Sequence, residues 1–424
     1  MCAPVPQVFA RVTFVVLMFT PFASFSQRVT PLSQPPNWEQ LNQFQETITH
    51  DEFVKLLESP YAPNGAAAQW IRVDSDKAVI QENASDHFVL RFAQNLQTQR
   101  PVPRYWTSVD GLNPNYDKPF DGIKIAIDPG HLGGKWAQME ERWFQIGSST
   151  PVTEGDLTLR VAQILAPRLR SLGAQVELVR SSPDPVTDLR PTELKVQAEA
   201  SLRDRGVTSF LSSYAGPDDP NRAESVSWEA ERLFYRVAEI HARARILNDK
   251  IKPDLTLCLH FNAEPWGDPA HPELVSANHL HMLINGAYSS SELGYDDERF
   301  AMLLKLLNRT YPEELAAAEF VARSMARITG LPPYRYSESK AISVGDSGYV
   351  WARNLLANRL YECPVIYIEP YVMNSREIWD RVQAGDYDGE KLIAGKTRKS
   401  LYREYAAAVA DGLRAYYEAN RKQP

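Results

Sequence analysis

Short apolar runs alternate with amphipathic stretches after residue 122, and this alternation constrains the fold more than any other feature. Helical spacing of apolar residues recurs between the runs, and a glycine, Gly173, is placed to end the first helix. Strands that alternate with helices predict an α/β domain with a mostly parallel sheet and helices on both faces. The predicted strands are residues 123–127, 175–179, 255–260, 278–284 and 365–369; the predicted helices are residues 157–172, 227–249, 313–329 and a segment starting near 398.

The N-terminus has the pattern of a secretory signal peptide. Arg11 precedes an apolar run over residues 12–25, and small residues, Ser24 and Ser26, stand where a signal peptidase cleaves. We predict cleavage after residue 26 and an exported protein, periplasmic or in the cell envelope; an uncleaved N-terminal anchor is the alternative. No later run is long and apolar enough to span a bilayer, so we expect no transmembrane segment in the mature chain.

Residues 27–120 differ from the rest in composition and lack the alternation of strands and helices. They predict a small accessory region whose role the sequence does not reveal. Its start is rich in Pro, Gln and Asn, and it ends in a proline-containing linker. The α/β pattern then occupies residues 121–424. We therefore divide the chain into residues 1–26, 27–120 and 121–424.

Composition narrows the functional classes. The formal net charge of −7 and the lack of a basic block argue against binding to nucleic acid or to an anionic membrane surface. Cys258 and Cys363 lie in strand-like runs, where two buried free thiols are favoured over a disulfide. No paired CxxC is present, which argues against a cysteine metal site.

Four polar residues stand at strand ends or at a helix start. His131 follows the first strand, Glu154 opens the first helix, and His260 and Glu369 end two later strands. The carboxyl ends of strands in an open α/β sheet form the edge where ligands bind, so these residues are expected to converge. Two imidazoles and one carboxylate suit a catalytic zinc, and Glu369 is then available to move protons.

Each residue alone has a plainer explanation. A histidine at a strand end is often a hydrogen-bonded structural residue, and an acid at a helix start is favoured by the helix dipole. Glu369 could be a solvated strand end. Two alternatives for the metal also stay open: Glu140 or Glu141 in place of Glu154, and a separate pair formed by His279 and His281, which alternate on one predicted strand.

The same residues lie in motifs that resemble the zinc-dependent N-acetylmuramoyl-L-alanine amidases of the type 3 family. The stretch IAIDPGHLGG (residues 125–134) is similar to the family's opening strand, and Thr153-Glu154 to its helix start. The sequence His260-Phe261-Asn262-Ala263 is similar to its His-x-Asn-Ala motif. Pro364 and the run VIYIE that ends at Glu369 complete the order, with Asn374 and Ser375 downstream. The resemblance covers residues from about 122 to the C-terminal helix.

The resemblance implies both the site and the reaction. His131, Glu154 and His260 would bind one Zn²⁺ per chain, and Glu369 would be the catalytic acid/base. Asp128 and Asn262 would orient the ligands. The reaction would be hydrolysis of the amide between N-acetylmuramic acid and L-alanine, with peptidoglycan or muropeptides as substrate and an activator protein as a candidate partner.

Some features depart from the family pattern. Leu132 follows the first histidine where the family usually has glycine, residues 135–144 lengthen the segment before Glu154, and residues 181–252 are enlarged. Residues 297–308 could plug the active site, although an ordinary packed helix is favoured. Two rival functions remain: an exported zinc amidase acting on soluble muropeptides or another amide, and a cell-wall-binding protein without catalysis.

Overall fold

The computed structural model describes residues 28–113, 115, 117–267, 271–337 and 340–421, so the predicted signal peptide lies outside the described residues. The strands are β1 (Ile71–Val73), β2 (Lys77–Gln81), β3 (His87–Arg91), β4 (Lys124–Pro129), β5 (Trp143–Phe144), β6 (Val152–Thr153), β7 (Gln175–Leu178), β8 (Leu255–Leu259), β9 (Leu280–Ile284), β10 (Ile342–Ser343), β11 (Val350–Ala352), β12 (Val365–Pro370), β13 (Glu390–Ile393) and β14 (Lys396–Lys399). The α-helices are α1 (His50–Leu56), α2 (Trp136–Met139), α3 (Glu154–Ser171), α4 (Lys195–Asp204), α5 (Val226–Leu233), α6 (Glu239–Arg245), α7 (Ser290–Leu293), α8 (Asp296–Leu307), α9 (Thr310–Thr329), α10 (Leu356–Leu360), α11 (Arg376–Gln383) and α12 (Leu401–Asn420).

A seven-stranded sheet in the order β10-β11-β9-β12-β8-β4-β7 forms the centre of the fold. Strands β7, β4, β8 and β12 run parallel to one another, and β11 is parallel to β9. The direction reverses between β12 and β9 and again between β11 and β10. The predicted mostly parallel sheet is confirmed.

Helices cover both faces of this sheet, as the sequence predicts. On one face Ile125, Leu257 and Ile366 pack in the core that includes α3, α9 and α12. On the other face the intervening residues, such as Ala126 and Cys258, pack against α6, α10 and the π-helical turn Ile246–Ile251. Strands buried on both faces need continuous apolar runs, which is why β8 reads LTLCL without polar alternation.

The N-terminal region has its own three-stranded antiparallel sheet, β1-β2-β3, but its core continues into α8. Met302, Leu303, Leu306 and Leu307 of α8 pack in one cluster with residues such as Trp38. The segment 297–308 is therefore a packed helix, as favoured from the sequence, and its apolar face is covered by the N-terminal region.

Cys258 and Cys363 are buried free thiols, which confirms the prediction from the sequence. The Thr256 hydroxyl lies 3.1 Å from the Cys363 sulfur. Among the residues that the structure describes, no helix combines the length and the apolarity needed to cross a membrane.

Candidate metal centre

His131, Glu154 and His260 converge at the carboxyl edge of the sheet. One potential ligand atom from each lies within 4.8 Å of the other two. Nε2 of His131 is 3.3 Å from Oε2 of Glu154, and Nδ1 of His260 is 3.3 Å from Oε1 of Glu154. The three residues therefore form a group that could hold a metal ion.

The local sequence explains how they come so close. His131 directly follows β4 and has a left-handed backbone with φ of 60°. Gly130 faces the second histidine, because a Cβ there would stand 2.3 Å from Cε1 of His260. Gly155 likewise packs on the backbone of Leu132, at 2.2 Å from a hypothetical Cβ. Small residues thus let the β4 loop, the start of α3 and the end of β8 meet.

The donor set fits a divalent metal. Oε1 of Glu154 accepts a hydrogen bond from the Phe261 amide at 3.0 Å, whereas Oε2 is buried and has no hydrogen-bond partner among the described residues. A buried carboxylate oxygen without a partner is costly unless a cation satisfies it. Two imidazoles and a carboxylate are a common donor set of catalytic zinc sites.

The protonation states also suit a metal. Burial lowers the pKa of His131 well below its ordinary value, which favours the neutral ligand form. Burial opposes ionisation of Glu154, but the nearby His131, the hydrogen bond with His260 and the charge of Arg142 lower its pKa to about 2. Burial would lower the pKa of His260, yet the hydrogen bond with Glu154 and the charge of Glu369 raise it, so a proton competes with a metal at His260 more strongly than at His131.

Glu140 lies behind His131 instead of taking the place of Glu154. Its Oε1 is 2.7 Å from Nδ1 of His131, and its Oε2 accepts the Leu132 amide at 2.7 Å. Burial raises the pKa of Glu140 to about 7. Glu141 points elsewhere and pairs with Arg222 at 2.9 Å. Neither glutamate belongs to the ligand group among the described residues.

Leu132, the departure from glycine after the first histidine, has a structural reason. Its side chain is buried in a core formed with α4 and α5, including Ala198 and Phe234. The enlarged segment of residues 181–252 supplies these helices, so Leu132 anchors the added helices to the β4 loop.

Glu369 lines a cleft together with His131, Arg142, His260 and Arg353. The cleft has a larger part of about 360 Å³, bordered by α6 and α10, and a smaller part of about 220 Å³, bordered by residues 261–263, Tyr334 and Tyr336. These five residues line both parts. Burial raises the pKa of Glu369 above its ordinary value, against the opposing charge of His260.

Asn262 contacts the backbone of Glu369 directly, and Asp128 reaches the backbone of His131 through Arg243. Oδ1 of Asp128 pairs with Arg243 at 2.8 Å, and Oδ2 accepts the Tyr361 hydroxyl at 2.6 Å. Arg243 in turn donates to the His131 carbonyl at 3.1 Å. Nδ2 of Asn262 donates to the Glu369 carbonyl at 2.8 Å. Both residues therefore act on the site through backbone positions and not through a ligand side chain.

His281 lines the smaller part of the cleft and His279 does not, and no third ligand joins the two histidines among the described residues. Their ring centroids are 6.4 Å apart, and each packs on Tyr334. Nε2 of His281 is 3.2 Å from the Tyr336 hydroxyl, and Nε2 of His279 is 3.2 Å from Glu264. The two histidines are thus held by aromatic and polar neighbours.

Arg142 and Arg353 are site residues that sequence reasoning missed. Nε of Arg142 lies 3.7 Å from Oε2 of Glu154, and its side chain comes from the insertion after His131. The only sequence signal for Arg142 is the insertion itself. Arg353 follows β11, a strand of three residues that is too short to be recognised by periodicity.

No family model matches the chain, and no curated protein matches it in sequence. Solved structures that align with it include the N-acetylmuramyl-L-alanine amidase Ami1 from Mycobacterium smegmatis (15% identity, 71% of this chain and 99% of that chain, TM-score 0.36). The amidase AmiC2 of Nostoc punctiforme aligns at 15% identity over 70% of this chain and 98% of its own, with a TM-score of 0.35. The CwlD amidase from Clostridioides difficile, solved in complex with the GerS lipoprotein, aligns at 12% identity over 70% of this chain and 100% of its own, with a TM-score of 0.35. Similarity at these identities and scores does not by itself assign an activity to this chain.

Proposed function

We propose that this protein is an exported zinc-dependent amidase that hydrolyses the amide between N-acetylmuramic acid and L-alanine in peptidoglycan. The observation that carries the proposal is the convergence of His131, Glu154 and His260 beside Glu369 in one cleft. The buried Oε2 of Glu154, which accepts no hydrogen bond among the described residues, supports a cation at this place. The substrate named in the proposal comes from the resemblance of the sequence motifs around these four residues to those of the amidase family.

His131, Glu154 and His260 are the residues that would hold one Zn²⁺. Zinc bound by three protein ligands polarises a substrate carbonyl and lowers the pKa of its water to about 7. Glu140 keeps the His131 imidazole oriented by accepting from Nδ1, which leaves Nε2 free on the side of Glu154.

Glu369 is the proton carrier of this proposal. Its carboxylate accepts the proton of the attacking water and then delivers it to the nitrogen of the leaving amine. Burial raises the pKa of Glu369 towards the pH at which the enzyme works. This suits a group that must both accept and donate a proton. Asn262 fixes the backbone of Glu369 through the 2.8 Å bond to its carbonyl.

The cellular setting of the proposal comes from the N-terminal signal pattern. Export to the periplasm or cell envelope would place the enzyme with peptidoglycan or muropeptides. An activator protein is a candidate partner, and residues 27–120 are an accessory region available for it.

Two alternatives depend on specific features. The insertion after His131 contributes Glu140 and Arg142 to the cleft wall, which would suit a soluble muropeptide or another exported amide. A cell-wall-binding protein without catalysis would not need a half-buried glutamate in the cleft, so the position of Glu369 argues against this alternative.

The test is amide hydrolysis on purified peptidoglycan, with the zinc content determined on the same sample. We expect wild type to release stem peptides with a free N-terminal alanine. Glu369→Ala should keep zinc and lose activity, because only the proton carrier is removed. His260→Ala should lose zinc as well.

Other outcomes separate the alternatives. Hydrolysis of soluble muropeptides but not of intact sacculi would favour the soluble substrate. Binding to the wall with zinc present and no product from either substrate would favour the binding protein. No bound metal in wild type after reloading with zinc would contradict the whole proposal.

A further inference from the structure

Arg353 places a cation near Glu369, and among the described residues it forms no ion pair. Its amide donates to the Ile284 carbonyl at 2.9 Å, which fixes the residue at the end of β11. Its half-buried side chain lines both parts of the cleft together with His260 and Glu369. Within the part of the chain that the structure describes, its side chain donates a hydrogen bond only to the Tyr336 hydroxyl, and it forms no ion pair with a carboxylate.

The neighbours of Arg353 orient its guanidinium without neutralising it. Nη1 donates to the Tyr336 hydroxyl at 3.4 Å, and the guanidinium carbon lies 5.6 Å from the centroid of the same ring. The Tyr336 hydroxyl is also 3.2 Å from Nε2 of His281. Burial and the charges of His279 and Arg353 lower the pKa of His281 to about 3, so this histidine is neutral at physiological pH. The positive charge at this wall therefore belongs to Arg353.

Two other cations that line the cleft, Arg142 and Arg243, pair with carboxylates. Arg236 shows no ion pair among the described residues, but it lines only the larger part of the cleft. Arg353 differs from all three because it lines both parts of the cleft and pairs with no carboxylate among the described residues. A guanidinium of this kind recognises carboxylates by two parallel hydrogen bonds.

We propose that Arg353 binds a carboxylate of the peptide part of the substrate, next to the scissile amide. The inference rests on the proposed function, since it places the amide at the metal ligands and Glu369. A stem peptide carries its carboxylates on the residues that follow the first alanine, and the glutamyl carboxylate nearest to the amide occurs either free or amidated. Arg353 would then distinguish the free acid from the amide.

A purely electrostatic role for Arg353 makes a different prediction. The charge of Arg353 also acts on Glu369, whose pKa it lowers against the effect of burial. If this were its only role, loss of the charge would change the pH profile of hydrolysis equally for every substrate. Discrimination between a free and an amidated peptide would not change.

The experiment compares two soluble muramoyl peptides that differ only in a free or an amidated glutamyl carboxylate. Their affinities are measured by calorimetry on zinc-loaded Glu369→Gln protein, in which the substrate is not consumed. We expect the free acid to bind about ten- to a hundredfold more tightly, the range of charge-assisted hydrogen bonds. Adding Arg353→Gln should reduce this ratio to about one and leave the affinity of the amidated peptide unchanged. In proteins that keep Glu369, the ratio of kcat/KM for the free acid to kcat/KM for the amidated peptide should show the same preference, and Arg353→Gln should abolish it.

Arg335→Gln is the matched control. Arg335 is exposed on the segment that carries Tyr334 and Tyr336 but lines neither part of the cleft, so the preference should persist. Equal binding of both peptides by the starting protein, binding of neither, or equal weakening of both by Arg353→Gln would overturn the proposal. Hydrolysis is scored separately with wild type: a preference for the acid without hydrolysis of either amide would contradict the proposed function and leave the Arg353 site standing.

Discussion

At the scale of single residues, Glu140 uses both carboxylate oxygens to hold the loop that carries His131. One oxygen is 2.7 Å from Nδ1 of His131 and the other accepts the Leu132 amide at 2.7 Å. A carboxylate behind a ligating imidazole fixes its tautomer and ring orientation and raises its basicity. The insertion after His131 therefore supports the proposed metal centre through Glu140, which contacts the side of the His131 ring that faces away from Glu154.

Glu140→Gln is expected to weaken zinc binding by about 10- to 100-fold, the usual effect of removing such a partner. The amide keeps the size of the side chain but loses the negative charge and one of the two acceptors. The measurement is competition with a chromogenic chelator at a pH above the Glu140 pKa of about 7, where its carboxyl group is ionised. Glu141→Gln is the control, because that carboxylate pairs with Arg222 and Trp228 and should leave zinc affinity unchanged. Equal affinities of the two variants would show that Glu140 has no orienting role.

The sequence predicts some site residues and misses others for a physical reason. His131, His260 and Glu369 are predictable because each ends a buried strand whose apolar run is visible. Arg353 and Glu140 act through tertiary contacts, with Tyr336 and with His131, and no period in their own segments indicates those contacts. The need for glycine at position 130 likewise comes from a residue distant in sequence, because a Cβ there would clash with His260.

At the scale of elements, Asp386 ties α3 to α12. Its carboxylate accepts hydrogen bonds from Arg160 of α3, from the Ser400 hydroxyl just before α12 and from Arg403 within α12. Burial opposes ionisation, but the hydrogen bonds from Arg403, Ser400 and Arg160 lower the pKa of Asp386 to about 2. This carboxylate therefore stabilises the face of the sheet that α3 and α12 cover together.

Asp386→Asn is expected to lower the urea midpoint of unfolding at neutral pH. A carboxyl group whose pKa is lowered by folding stabilises the folded state above its unfolded pKa of about 4. That contribution is lost as the pH falls from about 4 to about 2, so the midpoints of wild type and variant should approach each other in this window. Asp388→Asn serves as the control, since Asp388 is almost fully exposed beside Arg403. A difference that stays constant down to pH 2 would rule out the ionised carboxylate as its source.

Long, buried elements were predictable from the sequence and short, exposed ones were not. Strands β4, β8 and β12 and helices α3, α9 and α12 follow apolar runs or helical periodicity. The hairpin β13–β14 is mostly exposed and reads Glu-Lys-Leu-Ile, so it has no buried face to generate alternation. Its turn has positive φ at Ala394 and Gly395. Asn-Gly is the usual sequence signal of such a turn, and Ala-Gly is a weaker one.

At the scale of the whole molecule, α8 connects the N-terminal region to the central sheet. Its apolar face packs with Trp38, Leu41 and other residues of the N-terminal core. On the same helix, Lys305 is buried, pairs with Glu314 of α9 and donates to the carbonyls of Tyr361 and Cys363 near the start of β12. A helix that belongs to both regions couples their stability, and the sequence pattern of residues 27–120 gives no hint of this partner.

Leu306→Ala is therefore expected to destabilise the N-terminal region and the sheet together. Leu306 is fully buried in the shared core, and truncating such a leucine costs about 2–5 kcal/mol. Urea unfolding should remain a single transition at a lower midpoint, and hydrogen exchange should accelerate both in residues 71–91 and in the central strands. Leu392→Ala, at a leucine that is 76% exposed on the β13–β14 hairpin, should change neither quantity. Faster exchange confined to residues 28–100, with the central strands still protected, would contradict this prediction. It would show that the N-terminal region unfolds on its own and that α8 does not couple its stability to that of the central sheet.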